Sequence, residues 1–345
     1  MYISGNGPFD LSSRQIDALQ QYVYQGGTIV SEAACNNADF TLDIQKLYKK
    51  LFPQFTASRL PADHPLHSLN FQAGKDSGII GVSNGIRLLA VHCPKELSAS
   101  LQIGPSDGNK SSFETLANIC LYVTDKGPLR QRGQEAWPPP ATFTPRASLA
   151  VARIKHDGMC DPEPLAWQRL AAVVGQSQQI KLDVSEPMEC INLDASKWPL
   201  AVMSGTKAFT LTQADTAALT RFLNSGGLLL VEAAGGSKEF AACVEKDILP
   251  LVGDSSGLLT AEHPIYQGPC PVKVNYRRQY ALSLGTSARD GHLRGIEIGN
   301  RLAIIYSSDD LTAGMVGYSC YGLQGYSGET AVALMTNIIA YAANR

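Results

Sequence analysis

Five absences in this 345-residue chain narrow what it can be expected to do. No apolar run approaches the ~20 residues that a bilayer-spanning helix needs. Met1 leads at once into a strand-like Tyr2-Ile3, with no charged segment and apolar core of a secretory leader. No surplus of positive charge exists: 29 Lys and Arg stand against 31 Asp and Glu, a net of −2. Nucleic acid and anionic membrane surfaces are therefore not expected partners, since both call for a basic stripe. The eight cysteines form no Cys-x-x-Cys pair and no zinc spacing. Cys120 and Cys243 fall in helical patterns as small apolar fillers, and although an even count permits disulfides, sequence pairs none of them. A phosphate-binding fingerprint is also missing. Gly104 and Gly108 are separated by three residues where a phosphate loop has four, and Asn109 precedes Lys110, so the segment reads as a surface loop and helix cap. Neither a metal nor a cofactor is expected.

What the chain does have is a repeat. Residues 1–37 align without a gap on residues 201–237: Ser4-Gly5 on Ser204-Gly205, Phe9 on Phe209, Leu19 on Leu219, Gly26-Gly27 on Gly226-Gly227, and Glu32-Ala33-Ala34 on Glu232-Ala233-Ala234. Each copy reads as strand, polar turn, helix, glycine pair, strand. Ser12 with Gln15, and Thr212 with Asp215, carry the signature of a capping box or a close variant. Ile16, Leu19 and Val23 in one copy, and Leu219, Phe222 and Leu223 in the other, give each helix one buried stripe. Gly26 and Gly226 supply the left-handed residue that ends it. The β-prone runs that follow, Thr28 to Val30 and Leu228 to Val231, suit strands buried on both faces of a parallel sheet.

The repeat continues. Helical stretches Phe40 to Leu51 and Phe240 to Ile248 match, as do the turns at His64-Pro65 and His263-Pro264. Buried-strand runs then begin at Arg87 and Arg301, and each copy closes on a helix, with Asn118-Ile119 and Tyr122 or Asn337-Ile338 and Tyr341. These elements predict an α/β chain of two tandem, doubly wound, mostly parallel sheets. Domain 1 spans 1–124, a Pro-rich linker 125–148, and domain 2 149–345. Domain 2 opens with an added strand (149–154), a helix (165–174, ended by Gly175) and a strand (180–184). Domain 1 lacks these opening strands, so the chain is expected to start partway through a longer protein.

The ordered motifs resemble a bacterial family of domains of unknown function, the one numbered forty-one fifty-nine. They are Ser-Gly after a strand, Gly-Gly-(strand)-Glu-Ala-Ala, Asp63-His64-Pro65 with Glu262-His263-Pro264, the Arg-led strand running into Cys93-Pro94-Lys95-Glu96-Leu97-Ser98, and the closing Asn-Ile-x-x-Tyr helix. The resemblance covers nearly the whole chain. It implies flavodoxin-like or class I glutamine-amidotransferase-like folds, found in tandem behind an α/α-barrel of prenyltransferase or squalene-cyclase type, and it implies no reaction. An upstream barrel is thus the one partner it suggests.

In such folds the ligand crevice lies off the carboxyl ends of the strands. The residues expected there are Ser4, Asn6 and Glu32 in domain 1, and Ser204, Thr206 and Glu232 in domain 2, with His156 and Asp157 ending the added strand. Together they form the candidate site for an unidentified small ligand, more complete in domain 2. By analogy with the amidotransferases, Cys35, His92 and Glu96 form a catalytic candidate, since a thiol activated by an oriented histidine is a nucleophile. Cys35 falls about three residues late for a nucleophile elbow, and domain 2 has Gly235 and Tyr306 in place of the thiol and histidine. The leading expectation is a non-catalytic ligand- or partner-binding tandem domain of a larger protein. The alternative is a thiol-dependent hydrolase or amidase using Cys35 and His92.

Overall fold

The computed structural model describes residues 1–73, 78–128, 137–139, 142–253 and 256–345. They fall into two units: Met1–Gln134 with Tyr318–Gly322, and Glu135–Gly317 with Leu323–Arg345. Most of the Pro-rich linker's centre, 129–136 and 140–141, lies outside the described residues.

The first unit holds five strands: β1 (Tyr2–Gly5), β2 (Ile29–Ala33), β3 (Ala57–Arg59), β4 (Ile80–Ser83) and β5 (Leu88–Cys93). Its helices are α1 (Ser13–Tyr24), α2 (Ala38–Leu51), α3 (Ser98–Ile103) and α4 (Lys110–Val123). The sheet order is β1-β2-β5-β4-β3. The second unit adds β6 (Ala147–Arg153), α5 (Ala166–Gln178) and β7 (Ile180–Val184) before the repeated pattern. That pattern follows as β8 (Leu200–Gly205), α6 (Gln213–Asn224), β9 (Leu228–Ala233), α7 (Lys238–Cys243), β10 (Gly257–Leu258), α8 (Pro264–Gln267), α9 (Arg278–Leu284), β11 (Arg294–Ile298), β12 (Arg301–Ser307), α10 (Thr312–Val316) and α11 (Gly328–Ala343). Its seven strands run β10-β11-β12-β9-β8-β6-β7. Read from β8 outward, the order β8-β9-β12-β11-β10 has the form of the first sheet, and β6 and β7 extend it on the far side of β8.

The α/β architecture is as expected, with parallel pairing of β1 with β2, β2 with β5, β8 with β9 and β9 with β12. One edge is different. β4 and β3, like β11 and β10, join antiparallel. Each of these edges starts from a tight hairpin. Asn84 turns the first, its Oδ1 accepting the Ile86 and Arg87 amides at 3.0 and 2.9 Å, and Gly299, with φ of 63°, turns the second.

Local chemistry explains the helices between. The Thr212 amide donates to Asp215 at 3.0 Å and the Asp215 amide returns to the Thr212 hydroxyl at 3.1 Å, a reciprocal box that starts α6. Gly26 and Gly226 end α1 and α6 with φ near +98° and +102°, a conformation that a side chain disfavours. Leu19, Val23, Ile44 and Leu47 then join one core, and Leu219, Leu223, Val231 and Ile304 another. Gly175 does not end its helix, contrary to expectation. α5 continues to Gln178 and ends on Gln179 in the left-handed conformation, and residue 175 is glycine because a Cβ there would stand 2.3 Å from the Phe143 ring. Among the described residues no helix is long and apolar enough to cross a membrane.

Candidate functional site

Parallel pairing places Ser4 beside Glu32 and Ser204 beside Glu232 at the carboxyl ends of their strands. The glutamates are the next-to-last residues of buried strands, so each must find donors. Glu32 accepts the Ser4 hydroxyl at 3.1 Å on one oxygen and the Leu97 and Ser98 amides at 2.8 and 2.9 Å on the other. Glu232 accepts the Leu311 and Thr312 amides at 2.7 and 2.6 Å, and the Thr312 hydroxyl at 2.7 Å. In both sheets, then, the carboxylate ties β2 or β9 to the free amides where α3 or α10 begins. Ser204 reaches the same knot through the Thr312 hydroxyl, 3.5 Å away.

The two knots hold their carboxyls in opposite directions. Burial acts to raise Glu32, but bonds from Ser98, Tyr2 and the two amides outweigh it and hold the carboxyl below its ordinary range. Burial, and then the adjacent Asp310 carboxylate, push Glu232 up despite the Thr312 and Leu311 bonds. Asp310 is itself fully buried and raised by that burial, against the pull of the Arg277 charge and of the Gly235, Ala313 and Gly314 amides.

A segment of the second unit also covers this edge. The Asp310 amide donates to the Gln324 carbonyl at 3.0 Å, the Tyr326 amide to the Asp310 carbonyl at 3.1 Å, and the Gln324 amide to the Gly235 carbonyl at 3.4 Å. Gly236, with φ of 73°, leaves no room for a side chain, because a Cβ would stand 2.5 Å from Gln324. The first unit has exposed Cys35 and Asn36 at the matching turn, in the same left-handed conformation with φ of 53° and 54°.

The structure does not assemble Cys35, His92 and Glu96. His92 is buried, and its Nδ1 and Nε2 meet the hydroxyls of Ser31 at 2.9 Å and Thr41 at 3.1 Å, while Ser31 also meets the Tyr48 hydroxyl at 2.7 Å. Alternation along a strand explains this. His92 pairs with Ser31 across the sheet, so both side chains stand on the face packed by α2, not beyond the strand end. Burial lowers His92 to about 4. Cys35 is exposed on its turn, and the Glu96 amide donates to Asn36 Oδ1 at 2.9 Å.

The remaining candidates are dispersed. Asn6 is exposed. Thr206 is buried, its amide bonded to the Gly158 carbonyl at 3.1 Å and its carbonyl to the Ser237 hydroxyl at 2.8 Å. His156 donates from Nε2 to the Ser204 carbonyl at 3.0 Å and accepts the Gly158 amide on Nδ1 at 3.1 Å. Its ring lies 5.6 and 5.5 Å from Phe209 and Phe240, and burial lowers it to about 4. Asp157 is exposed and accepts the Thr210 amide at 3.0 Å. These two residues brace the loop between β8 and α6 instead of lining a crevice with Glu232. Beside Ser204 and Thr312 is a small cleft, also lined by Arg153, Asp161, Glu163 and Trp167. It encloses about 20 Å³, room for one water molecule, and Arg153 closes it with a 2.7 Å ion pair to Asp161.

Two features were not found by reading the sequence. Arg87 and Arg301 donate to carbonyls at the ends of α1 and α6: Val23 at 2.6 Å and Gly27 at 2.7 Å for the first, Leu223 and Gly227 for the second. Cations belong at helix carboxyl ends, and the repeated Arg after a hairpin was the available signal. The second is the pairing of His292 with Asp309 at 2.9 Å. Its only trace in the sequence is that Gly268 to Leu293 is much longer than its counterpart, Ser68 to Ile79.

Comparison with known proteins places the sequence in a family. The chain is similar to the crystal structure of a ThuA-like protein from Bacteroides uniformis, at 13% identity over 60% of this chain and 95% of that one, with a TM-score of 0.30. No curated protein matches it. The family model described as Domain of unknown function (DUF4159) matches residues 1–89 and 150–343. Most of the sequence lies within those two stretches, and the chain belongs to the DUF4159 family.

Proposed function

We propose that the chain is a ligand- or partner-binding protein made of two related domains in tandem, and that the polar residues repeated at its sheet edges serve folding. The observation that carries this reading is the engagement of His92. Both of its ring nitrogens are bonded to hydroxyls inside the first unit, leaving no lone pair for a thiol. Glu32 and Glu232 support it too, because each is bonded to the first amides of a helix. A general base has to reach the proton it removes, and these groups face inward.

One observation favours the thiol-hydrolase alternative: Cys35 is exposed, on a left-handed turn directly after a central strand. Alkylation separates the two. The rate of iodoacetamide labelling at Cys35, followed by peptide mapping, is expected to be the same in the wild type and in His92→Ala. A fall of about tenfold or more in the variant would mean that the histidine activates the thiol, and would replace the binding reading with the thiol mechanism.

A further inference from the structure

The six histidines differ in what holds Nδ1. In His64, His156 and His263 it accepts the amide hydrogen two residues along. In His92 it meets a hydroxyl, and His67 is buried. His292 is different: its Nδ1 lies 2.9 Å from Oδ2 of Asp309, a carboxylate only 1% exposed. The other oxygen of Asp309 accepts the Tyr280 hydroxyl at 2.6 Å. The carboxylate is therefore fixed at both ends. A carboxylate on Nδ1 keeps the proton there and leaves the lone pair on Nε2. Among the described residues no hydrogen bond is made to that nitrogen, and the side chain keeps 23% of its surface exposed.

The ring is also held from the side. It lies 5.1 Å from the Tyr276 ring, which stacks on Tyr326 at 4.8 Å, and the His292 amide donates to the Tyr326 hydroxyl at 2.9 Å. Its location matters as well. Asp309 stands two residues beyond β12, at the carboxyl edge where open α/β sheets take ligands. Tyr280 and His292 come from the long stretch before β11, and in the first unit the position matching Asp309 is Lys95.

We propose that His292 is a proton-accepting site of the second unit, taking at Nε2 the proton of a hydroxyl group on a small ligand. The ligand's O–H bond breaks, an N–H bond forms on Nε2, the electron pair stays on the ligand oxygen, and Asp309 balances the imidazolium. Asp309 and Tyr280 are positioning residues. The inference goes beyond the binding reading and shares no residue with its thiol test, so either can fail alone.

Two measurements on the full chain test it. The first is acylation by diethyl pyrocarbonate with peptide mapping. His292 should be modified first of the six, and Asp309→Asn should slow it by about tenfold or more, since the asparagine amide can donate to Nδ1 and move the ring proton onto Nε2, the nitrogen that attacks. Tyr280→Phe leaves the His292–Asp309 bond in place and should slow it less. Since the Asp309→Asn substitution leaves the ring at least as accessible, a purely structural Asp309 would not lower the rate. The second uses 4-nitrophenol, whose absorbance reports loss of its hydroxyl proton. The wild type should ionise the bound probe beyond its free fraction, and His292→Ala should not. The proposal is overturned if His292 reacts no faster than the other histidines, if Asp309→Asn reacts like the wild type, or if the probe spectrum is the same with and without His292.

Discussion

At the carboxyl edge of the first sheet, Glu32 sits beside an exposed turn of Cys35 and Asn36, and hydrogen bonds to its charged form prevail over burial. At the same place in the second sheet, Glu232 shares a fully buried site with Asp310, beneath Gln324 and Tyr326, and burial prevails. The residue and its partners are the same in both: two amides at the start of the next helix. What differs is the company. Both carboxylates are buried, but where hydroxyl and amide donors alone surround Glu32 its charge is favoured, and where a second carboxylate adjoins Glu232 beneath a lid of backbone its neutral form is favoured. One sequence motif thus yields two electrostatic outcomes, decided by residues nearly a hundred positions away in the chain.

The largest effect that would sharpen this contrast is removal of the carboxylates. Glu232→Ala leaves the Leu311 and Thr312 amides buried without acceptors, and should lower stability by about 3–5 kcal/mol, at about 1–3 kcal/mol for each buried donor left unsatisfied. Glu32→Ala should cost less, about 1–3 kcal/mol, because Ser98 lies near solvent and water can replace the acceptor. All three tryptophans, Trp137, Trp167 and Trp198, belong to the second unit, so tryptophan fluorescence during urea unfolding reads that unit alone. Hydrogen exchange along α2 reads the first. Equal losses in the two would break the comparison.

Next in size is the turn itself. Gly236→Ala places a Cβ against Gln324 at a left-handed residue and should cost about 2–4 kcal/mol by the same fluorescence measurement. Cys35→Gly, at the open turn, should change stability by less than about 1 kcal/mol, since the gain in backbone freedom acts on both folded and unfolded chains. A tolerant Gly236 would mean that the lid over the second edge is loose.

Much of this arrangement could be read in the sequence. The glycine pairs, the capping boxes at Ser12 and Thr212 and the meeting of Ser4 with Glu32 follow from local rules of turn, cap and parallel register. The parts that escaped are of other kinds. The hairpins at Asn84-Gly85 and Gly299-Asn300 carry a visible turn signal, which the expectation of parallel strands obscures. The inward direction of His92 depends on strand phase, where a one-residue difference reverses the face. Gly175 reads as a helix end because its packing partner, Phe143, lies 32 positions earlier, outside any local pattern. The cover over Glu232 and the His292–Asp309 pair bring together residues from separate elements, and no local pattern announces them.

Smaller again is the dependence on pH. Glu32 has a folded value below its unfolded one, so its contribution is present above the unfolded value and is lost as pH falls through the folded value. Glu232 has a raised folded value, near neutrality at about 7. Between the ordinary glutamate value and that one, folded Glu232 holds a proton that the unfolded chain has released, so its own contribution should fall as pH rises across this window. It is read as the difference between the wild type and Glu232→Gln, because buried His156 adds a slope of the opposite sign that cancels in that difference. In urea titrations at a series of pH values, the difference between the wild type and the glutamine variant should rise with pH for Glu32 below the ordinary glutamate value and fall with pH for Glu232 above it, and slopes of the same sign would contradict the assignment.

The most direct test of the central claim, that one glutamate serves folding in two charge states, is the stability of Glu32→Gln and Glu232→Gln at about pH 6, where Glu32 is charged and Glu232 neutral, by the same two probes. Glutamine has the shape of the neutral acid: its carbonyl can accept the two amides while its NH₂ faces the Thr312 hydroxyl. Glu232→Gln should leave the second unit as stable as the wild type or slightly more stable. Glu32→Gln should destabilise the first unit by about 1–2 kcal/mol, through loss of bonds to a charged acceptor. A large loss in Glu232→Gln together with none in Glu32→Gln would contradict the account.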